Sequence, residues 1–261
     1  MNQFTALLDH VPSVLLVIFR IGGLAVYGPV IGSKIIPARV KVLIAVILGL
    51  AIYPVLNTQG LGNAGWEMNL WSLGPAIALE LLVGMVIGFL ASLPLLTVQF
   101  GGLMMGHQMG LGFAKFFNPA MEDSADIVGQ MLFFMALAGF LLLGGHEMMV
   151  LAVMNSFHHI PLATNIADGS LLTMLTGMLT ASYEVALRVS APLLTLIFLE
   201  TVAMGFLSKT VPQLNILSLG FPMRILVGLV IVALVVGVID EVFRDWFEEA
   251  MKLTFTWIEN R

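Results

Sequence analysis

The fold of this chain is decided by the run LGPAIALELLVGMVIGFLASLPLLTV, residues 73–98. The run contains one charged side chain, Glu80, and it exceeds the roughly 20 apolar residues that a helix needs to cross a bilayer. Lipid offers the backbone no hydrogen-bonding partner, so an apolar run of this length predicts a helix rather than an open strand. The run therefore predicts a membrane helix.

Five further runs have the same character. The six segments are Val11–Ile31, Val40–Leu56, Leu73–Val98, Ile127–Met154, Leu171–Leu199 and Ile216–Ile239. Hydrophobic residues make up 59% of the 261 and charged residues only 10%, too few to cover a water-soluble fold of this size. The sequence predicts an all-α integral membrane protein of about six hydrophobic helices, forming a single domain over residues 1–261.

The connections between these segments differ in charge. Lysine and arginine occur after the first, third and fifth segments, as Lys34, Arg39, Lys41, Lys115 and Lys209. The loops Asn57–Ser72 and Asn155–Ser170 contain neither residue. The positive-inside rule places the charged connections in the cytoplasm and the N-terminus on the opposite side.

The C-terminal stretch 240–261 is predicted as an amphipathic helix. Its apolar residues recur at helical spacing, as Val242, Phe243, Trp246, Phe247, Ala250, Leu253 and Trp257. Mostly acidic residues fill the other face. Two interpretations stay open at this point: a helix lying along the membrane surface, and a helix that docks on a partner subunit.

The charge of the chain and the motifs that it lacks argue against several classes of function. The net charge of −5 argues against a nucleic-acid partner, which needs a basic patch. The chain has no cysteine and no phosphate-cradling, zinc-helix or serine-nucleophile motif. His146-Glu147 lacks a second histidine at the spacing of a zinc helix. We expect no catalytic residues, no metal and no cofactor.

Ionisable side chains within the apolar segments are candidate functional residues. They are Arg20, Glu80, Glu184, Arg188, Glu200 and Arg224. A charge at membrane depth is costly, so such residues face a partner helix or an aqueous cavity. Glu184 and Arg188 are four apart on one helix and are predicted to pair, either as an internal ion pair or as a proton relay. The other four are predicted to pair between helices or between subunits.

The stretch Gly101–Asp126 departs most from a regular membrane helix. Gly102, Gly106 and Gly110 recur every four residues, which on a helix makes a smooth face for close packing. Gly112 and Asn118-Pro119 are predicted to break that helix. Methionine and phenylalanine side chains in the stretch can seal a pore and repack when something passes. A tight interhelical corner without a gating role is the equally weighted alternative.

At these residues the chain resembles the FliR/SctT family of type III secretion export gates. The resemblance is carried by GHQMGLGFA at 106–114, by Asn118-Pro119-Ala120, and by PARVK at 37–41. It continues through Gly145-His146, Ser156-Phe157-His158 with Ile160-Pro161, the run PQLNI at 212–216, and Gly220-Phe221-Pro222. It extends from about Phe19 to Gly228 and favours the flagellar branch of the family.

The resemblance implies a non-enzymatic pore subunit at the flagellar basal body in the bacterial inner membrane. It implies FliP-type, FliQ-type and FlhB-type partner subunits in a helical hetero-oligomeric pore that passes unfolded flagellar proteins. It also implies a pore plug over about 106–122, for which the candidate lumen contacts are Gly106, Gln108, Met109, Gly110, Phe113, Phe116 and Phe117.

Two alternatives remain, and one of them belongs to another class of protein. A stand-alone secondary transporter or channel fits six helices with one broken element, although its usual inverted repeat is not evident. The virulence-type (injectisome) gate subunit is the nearer alternative within the same family.

Overall fold

The computed structural model describes residues 2–61, 70–111, 126–166, 168–210 and 216–261. Within these ranges the chain forms α-helices and no β-strand. The helices are α1 Asn2–Tyr27, α2 Ala38–Thr58, α3 Leu70–Gln108, α4 Ile127–Leu142, α5 Gly145–His159, α6 Gly169–Thr210 and α7 Ile216–Glu259. Five are long and apolar enough to cross a membrane, and the bent pair α4–α5 makes a sixth candidate. The predicted all-α membrane fold is confirmed.

Proline and glycine set several of the helix ends. α1 ends at Tyr27, before Gly28-Pro29, because the residue preceding a proline disfavours the helical conformation. The predicted first segment, Val11–Ile31, was therefore too long at its C-terminal end. Pro37 precedes α2 with φ −57°, a value suited to the start of a helix.

The predicted fourth segment, Ile127–Met154, is broken in two. α4 and α5 meet at an angle of 65°. Gly144 lies between them with φ +70°, a left-handed conformation that favours glycine. Neither half is long enough to cross a bilayer alone, so the continuous-helix prediction was wrong at this point.

Three helices exceed their predicted segments by more than ten residues. α3, α6 and α7 have 39, 42 and 44 residues. At about 1.5 Å per residue each is roughly 60 Å long, about twice the hydrocarbon thickness of a bilayer. The predicted sixth segment and the C-terminal stretch 240–261 form one continuous helix through Glu259.

The Cα positions group into two compact units. Unit 1 comprises 1–93, 141–178 and 248–261, and unit 2 comprises 94–140 and 179–247. The core of unit 1 includes Leu16, Ile87 and Phe157, and the core of unit 2 includes Met105, Phe140 and Phe243. Each unit draws on separated stretches of sequence, and the single-domain assignment remains a prediction.

Burial differs sharply among the membrane-length helices. In the 18-residue stretch of α3 that is apolar enough to cross a membrane, 67% of the residues are buried. In the corresponding stretches of α2, α6 and α7 the buried share is 22%. The outer faces of these three helices carry large apolar side chains in the open, such as Phe198 and Phe206 of α6 and Leu234 of α7. Lipid or other proteins must cover those faces.

Candidate functional site

Arg20 of α1 and Glu80 of α3 form an ion pair that is closed off inside unit 1. The two side chains are 0% and 1% exposed. Arg20 donates from Nε to Glu80 Oε2 at 2.5 Å and from Nη2 to Oε1 at 3.2 Å. This fork of two hydrogen bonds is the strongest geometry available to an arginine and a carboxylate. The predicted pairing between helices is therefore met for these two residues.

Every other polar group of this pair also has a partner. Arg20 Nη1 donates to Ser156 Oγ, and Nη2 donates to the carbonyl oxygen of Ile160, both at 3.1 Å. Ala163 N–H donates to Glu80 Oε1 at 2.7 Å, and the guanidinium lies 4.3 Å from the ring centroid of Phe157. The pair thus ties α1 and α3 to α5 and to the loop that follows it.

Glycines let α1 and α3 approach closely enough for this pair to form. A Cβ at Gly23 would lie 2.8 Å from the backbone nitrogen of Met85, and one at Gly84 would collide with the carbonyl oxygen of Arg20. One at Gly88 would lie 2.9 Å from the backbone nitrogen of Gly28. Gly84 and Gly88 follow Glu80 at four-residue intervals, a packing signal that the sequence interpretation missed.

Glu200 of α6 and Arg224 of α7 form a second pair between helices, within unit 2. Arg224 Nε lies 3.3 Å from Glu200 Oε2, and its Nη2 donates to Thr201 Oγ1 at 2.9 Å. The arginine side chain is 32% exposed. The buried Glu200 Oε1 finds no donor in the part of the chain that the structure describes.

The predicted pair of Glu184 and Arg188 does not form. Both side chains are exposed on α6, and neither takes part in an ion pair with any described residue. Spacing on the helix permits the contact, but the two side chains point outward beside each other without closing it.

The C-terminal end of α3 is packed tightly against α4 in unit 2. A Cβ at Gly102 would lie 2.6 Å from Cα of Gly129, and Gly106 packs on Val128. The predicted smooth glycine face is present at these positions. Gly110 does not belong to it, because α3 ends at Gln108 and Gly110 has φ +80°. This left-handed residue ends the helix ahead of the predicted breaker Gly112, which lies outside the described residues.

Met109, a predicted lumen contact, is fully buried within unit 2. Its side chain fills the space beside Gly228 of α7, where an added Cβ would lie 2.8 Å from both Cε and Sδ of the methionine. Gln108 is exposed. The predicted lumen contacts Phe113, Phe116 and Phe117 lie outside the described residues.

The apolar stripe of the C-terminal stretch packs inside the chain. Phe243, Trp246, Phe247, Ala250 and Trp257 are buried. Trp246 Nε1 donates to Thr97 Oγ1 of α3 at 3.3 Å. Leu253 of the predicted stripe is the exception, since 41% of its surface is exposed. This chain itself therefore covers most of the stripe, which leaves Leu253 open to lipid or a partner subunit.

The end of the chain is fixed to the start of α6 in unit 1. Arg261 Nη1 and Nη2 donate to the two carboxylate oxygens of Asp168, at 2.5 and 2.7 Å. Asp168 Oδ1 also accepts the backbone N–H groups of Ser170 and Leu171, which caps the helix. These contacts, the Arg261 hydrogen bonds first, hold the pKa of Asp168 well below its usual range.

The described residues bring no metal-binding group together. No group of three histidine, aspartate or glutamate side chains within these ranges could hold a metal ion. The buried charges are instead used in ion pairs between helices. The fold and these contacts define a multi-helix integral membrane protein whose buried charges hold helices together.

Comparison with known proteins places the chain within this class. Residues 11–250 match the family described as bacterial export proteins, family 1, and the chain belongs to that family. It is 27% identical to the flagellar biosynthetic protein FliR of Escherichia coli over 90% of this chain and 88% of the relative. The FliR proteins of Bacillus subtilis and Caulobacter vibrioides are each 26% identical, over 93% and 97% of this chain and 93% and 99% of the relatives.

Proposed function

We propose that this chain is a non-enzymatic pore subunit of the flagellar type III protein-export gate. In this role it helps to form and seal the channel that passes unfolded flagellar proteins across the inner membrane at the basal body. FliP-type, FliQ-type and FlhB-type subunits are its partners. The proposal rests above all on the family match over residues 11–250, joined by flagellar relatives that align over nearly their whole length.

The dimensions and burial of the helices support a multi-subunit assembly. α3, α6 and α7 are about twice as long as the hydrocarbon layer of a bilayer is thick, so lipid tails alone do not cover them. α6 and α7 still expose bulky apolar side chains along their length. Other subunits are the natural cover for those surfaces that extend beyond the hydrocarbon.

Deletion of the gene for this chain from the bacterium that produces it tests the proposal. We expect cells without filaments, flagellar proteins retained inside, and full recovery when a tagged copy is supplied. Secretion of flagellar proteins into the medium is measured by immunoblotting. Normal flagellar export in the deletion strain would overturn the proposal, and selective loss of virulence-protein secretion would assign the chain to the other branch.

The stretch Gly106–Glu122 is the proposed plug of the channel. Its first part is anchored, since Met109 is buried beside Gly228 and Gly106 packs on α4. Gln108 is exposed at the same end of α3. The plug would thus be fixed to the rest of the chain at Gly106 and Met109. The residues that follow are rich in methionine and phenylalanine, and such side chains can seal a pore and still move.

Removal of residues 112–117 tests the seal and spares the buried base. We expect the closed assembly to leak ions, measured as faster decay of an imposed potential in proteoliposomes. Unchanged conductance at equal protein content would exclude a sealing role for these residues.

The anchor is tested by Gly228→Ala, which adds a methyl group where Met109 lies. We expect a smaller leak than in the deletion, because the methionine must move while the plug remains. Gly237→Ala on the same helix is the control, since a Cβ there meets nothing within 4 Å. Equal conductance of the two variants would show that Met109 does not hold the plug.

A further inference from the structure

α6 presents one continuous exposed stripe directly opposite its buried side. We name it the outer stripe, and it consists of Thr173, Gly177, Thr180, Glu184, Arg188, Ala191 and Thr195. These residues recur every three or four positions and all are exposed. The buried side of the same helix is formed by Met178, Ser182, Ala186, Val189, Leu193 and Ile197.

The outer stripe differs in character from the continuation of the same face. From Thr173 to Thr195 it holds small, polar or charged residues and no large apolar side chain. Phe198, Val202 and Phe206 continue the face, and all three are exposed. A helix face that meets lipid carries bulky apolar residues, whereas a face that meets another helix carries small ones. The face therefore changes surroundings after Thr195.

Two further observations indicate that protein covers the outer stripe. Glu184 and Arg188 lie at its centre, exposed and unpaired with any described residue, and lipid would impose a high cost on both charges. Leucine and tyrosine side chains flank the stripe with 41–65% of their surface exposed: Leu172, Leu179, Tyr183 and Leu187. A polar centre beside open apolar side chains is typical of a protein interface rather than of a wetted surface.

We infer that the outer stripe binds a helix of another membrane subunit. That helix presents small residues to the stripe, a basic side chain to Glu184 and an acidic side chain to Arg188. Opposite charges brought together in this way offset the loss of solvent that each suffers at the interface. The inference rests on the proposed multi-subunit function and specifies where one partner binds.

Spin labelling tests what covers the outer stripe. The chain has no cysteine, so Ala191→Cys and Phe206→Cys each introduce one labelling position. The complex is purified from the native bacterium in mild detergent and reconstituted in lipid. We expect the nitroxide at 191 to be immobilised and protected from both oxygen and a water-soluble nickel chelate, and the nitroxide at 206 to be accessible to oxygen.

Two other results for the label at position 191 would each contradict the proposed interface. Access to oxygen alone would place the stripe against lipid, and access to the nickel chelate would place it against water. The deletion experiment above tests export independently of the stripe. Suppose that the label at position 191 is accessible, while deletion of the gene abolishes flagellar export and a tagged copy restores it. The interface would then be overturned, and the proposed function would stand.

Charge variants provide a second readout. Glu184→Gln and Arg188→Gln are each expected to lower recovery of copurifying membrane subunits about tenfold, because each leaves the partner's charge unpaired. Lys209→Gln is the matched control, as it removes an exposed charge from the end of the same helix. Equal recovery in all three variants would contradict charge pairing at the stripe.

Discussion

Two ion pairs join helices within the part of the chain that the structure describes, and they are built differently. Arg20 and Glu80 in unit 1 are almost fully buried, and their polar groups have partners on α5 and on the loop after it. Glu200 and Arg224 in unit 2 are held by a longer contact of 3.3 Å, with the arginine 32% exposed and one carboxylate oxygen lacking a described donor.

The difference teaches that a charge in an apolar segment does not by itself reveal its role. The first pair is complete within the chain, and it acts as a structural clamp between α1, α3 and α5. The second pair is only partly enclosed, and Glu200 Oε1 is left able to accept a hydrogen bond from another group. Removal of one residue should therefore have a much larger effect on the first pair than on the second.

The largest effect is expected for Arg20→Leu. The substitution leaves Glu80 buried without its cation, at a cost of about 3–5 kcal/mol in the free energy of unfolding. Unfolding by sodium dodecyl sulfate in detergent micelles, followed by circular dichroism, measures the loss. The double variant Arg20→Leu with Glu80→Leu is the control and should be more stable than the single variant. A single variant as stable as the native chain would refute the clamp.

The next effect tests the packing that allows the first pair to close. Gly23→Ala should destabilise the chain by about 1–3 kcal/mol, because its methyl group meets the backbone of α3. Gly22→Ala is an adjacent control, with no atom within 4 Å of the added Cβ, and should be neutral or stabilise by up to about 1 kcal/mol. The same detergent unfolding assay measures both variants. Equal changes in stability for Gly23→Ala and Gly22→Ala would exclude close contact between α1 and α3.

A smaller effect is expected at the second pair. Glu200→Gln should reduce the free energy of unfolding by about 1 kcal/mol or less, since Arg224 keeps its contact with Thr201 and part of its exposure. The measurement is the same detergent unfolding, run beside Arg20→Leu. A loss as large as that of Arg20→Leu would remove the distinction between the pairs.

The smallest effect concerns the exposed pair of Asp168 and Arg261, which extends the comparison to the surface. Since Arg261 lowers the folded-state pKa of Asp168, the pair contributes stability above the ordinary aspartate pKa of about 4. That contribution is lost as the pH falls through the lower folded-state value. The stability difference between the native chain and Arg261→Gln should stay constant from pH 8 to 5 and shrink below about pH 4. If this stability difference instead changed mainly near neutral pH, a group other than Asp168 would be responsible for it.

Much of the fold could be predicted because lipid restricts a long apolar run to a helix. The six hydrophobic segments and their approximate positions follow from hydropathy alone. The break between α4 and α5 was not predicted, although Gly144-Gly145 within the fourth segment is a signal for it. The continuation of α7 through Glu259 does not follow from hydropathy, because the composition changes from apolar to amphipathic after Ile239 while the helix continues.

The ion pairs mark the limit of sequence interpretation. The need of Arg20 and Glu80 for partners follows from the cost of burial, but their mutual contact across 60 positions depends on how α1 crosses α3. The one pair predicted from local spacing, Glu184 with Arg188, does not form. The glycine spacing predicted a close-packed face but not the helix that it meets, which at Gly102 is α4. The burial of Met109 beside Gly228 is a tertiary contact without a local signal.

Native mass spectrometry of the tagged chain, purified in mild detergent from its own bacterium, tests the central claim most directly. The proposed export-gate function predicts one copy of this 28.2 kDa chain bound to several copies of smaller membrane proteins of two kinds. A stable monomer or a homo-oligomer of this chain would contradict the gate function and favour a protein that works alone.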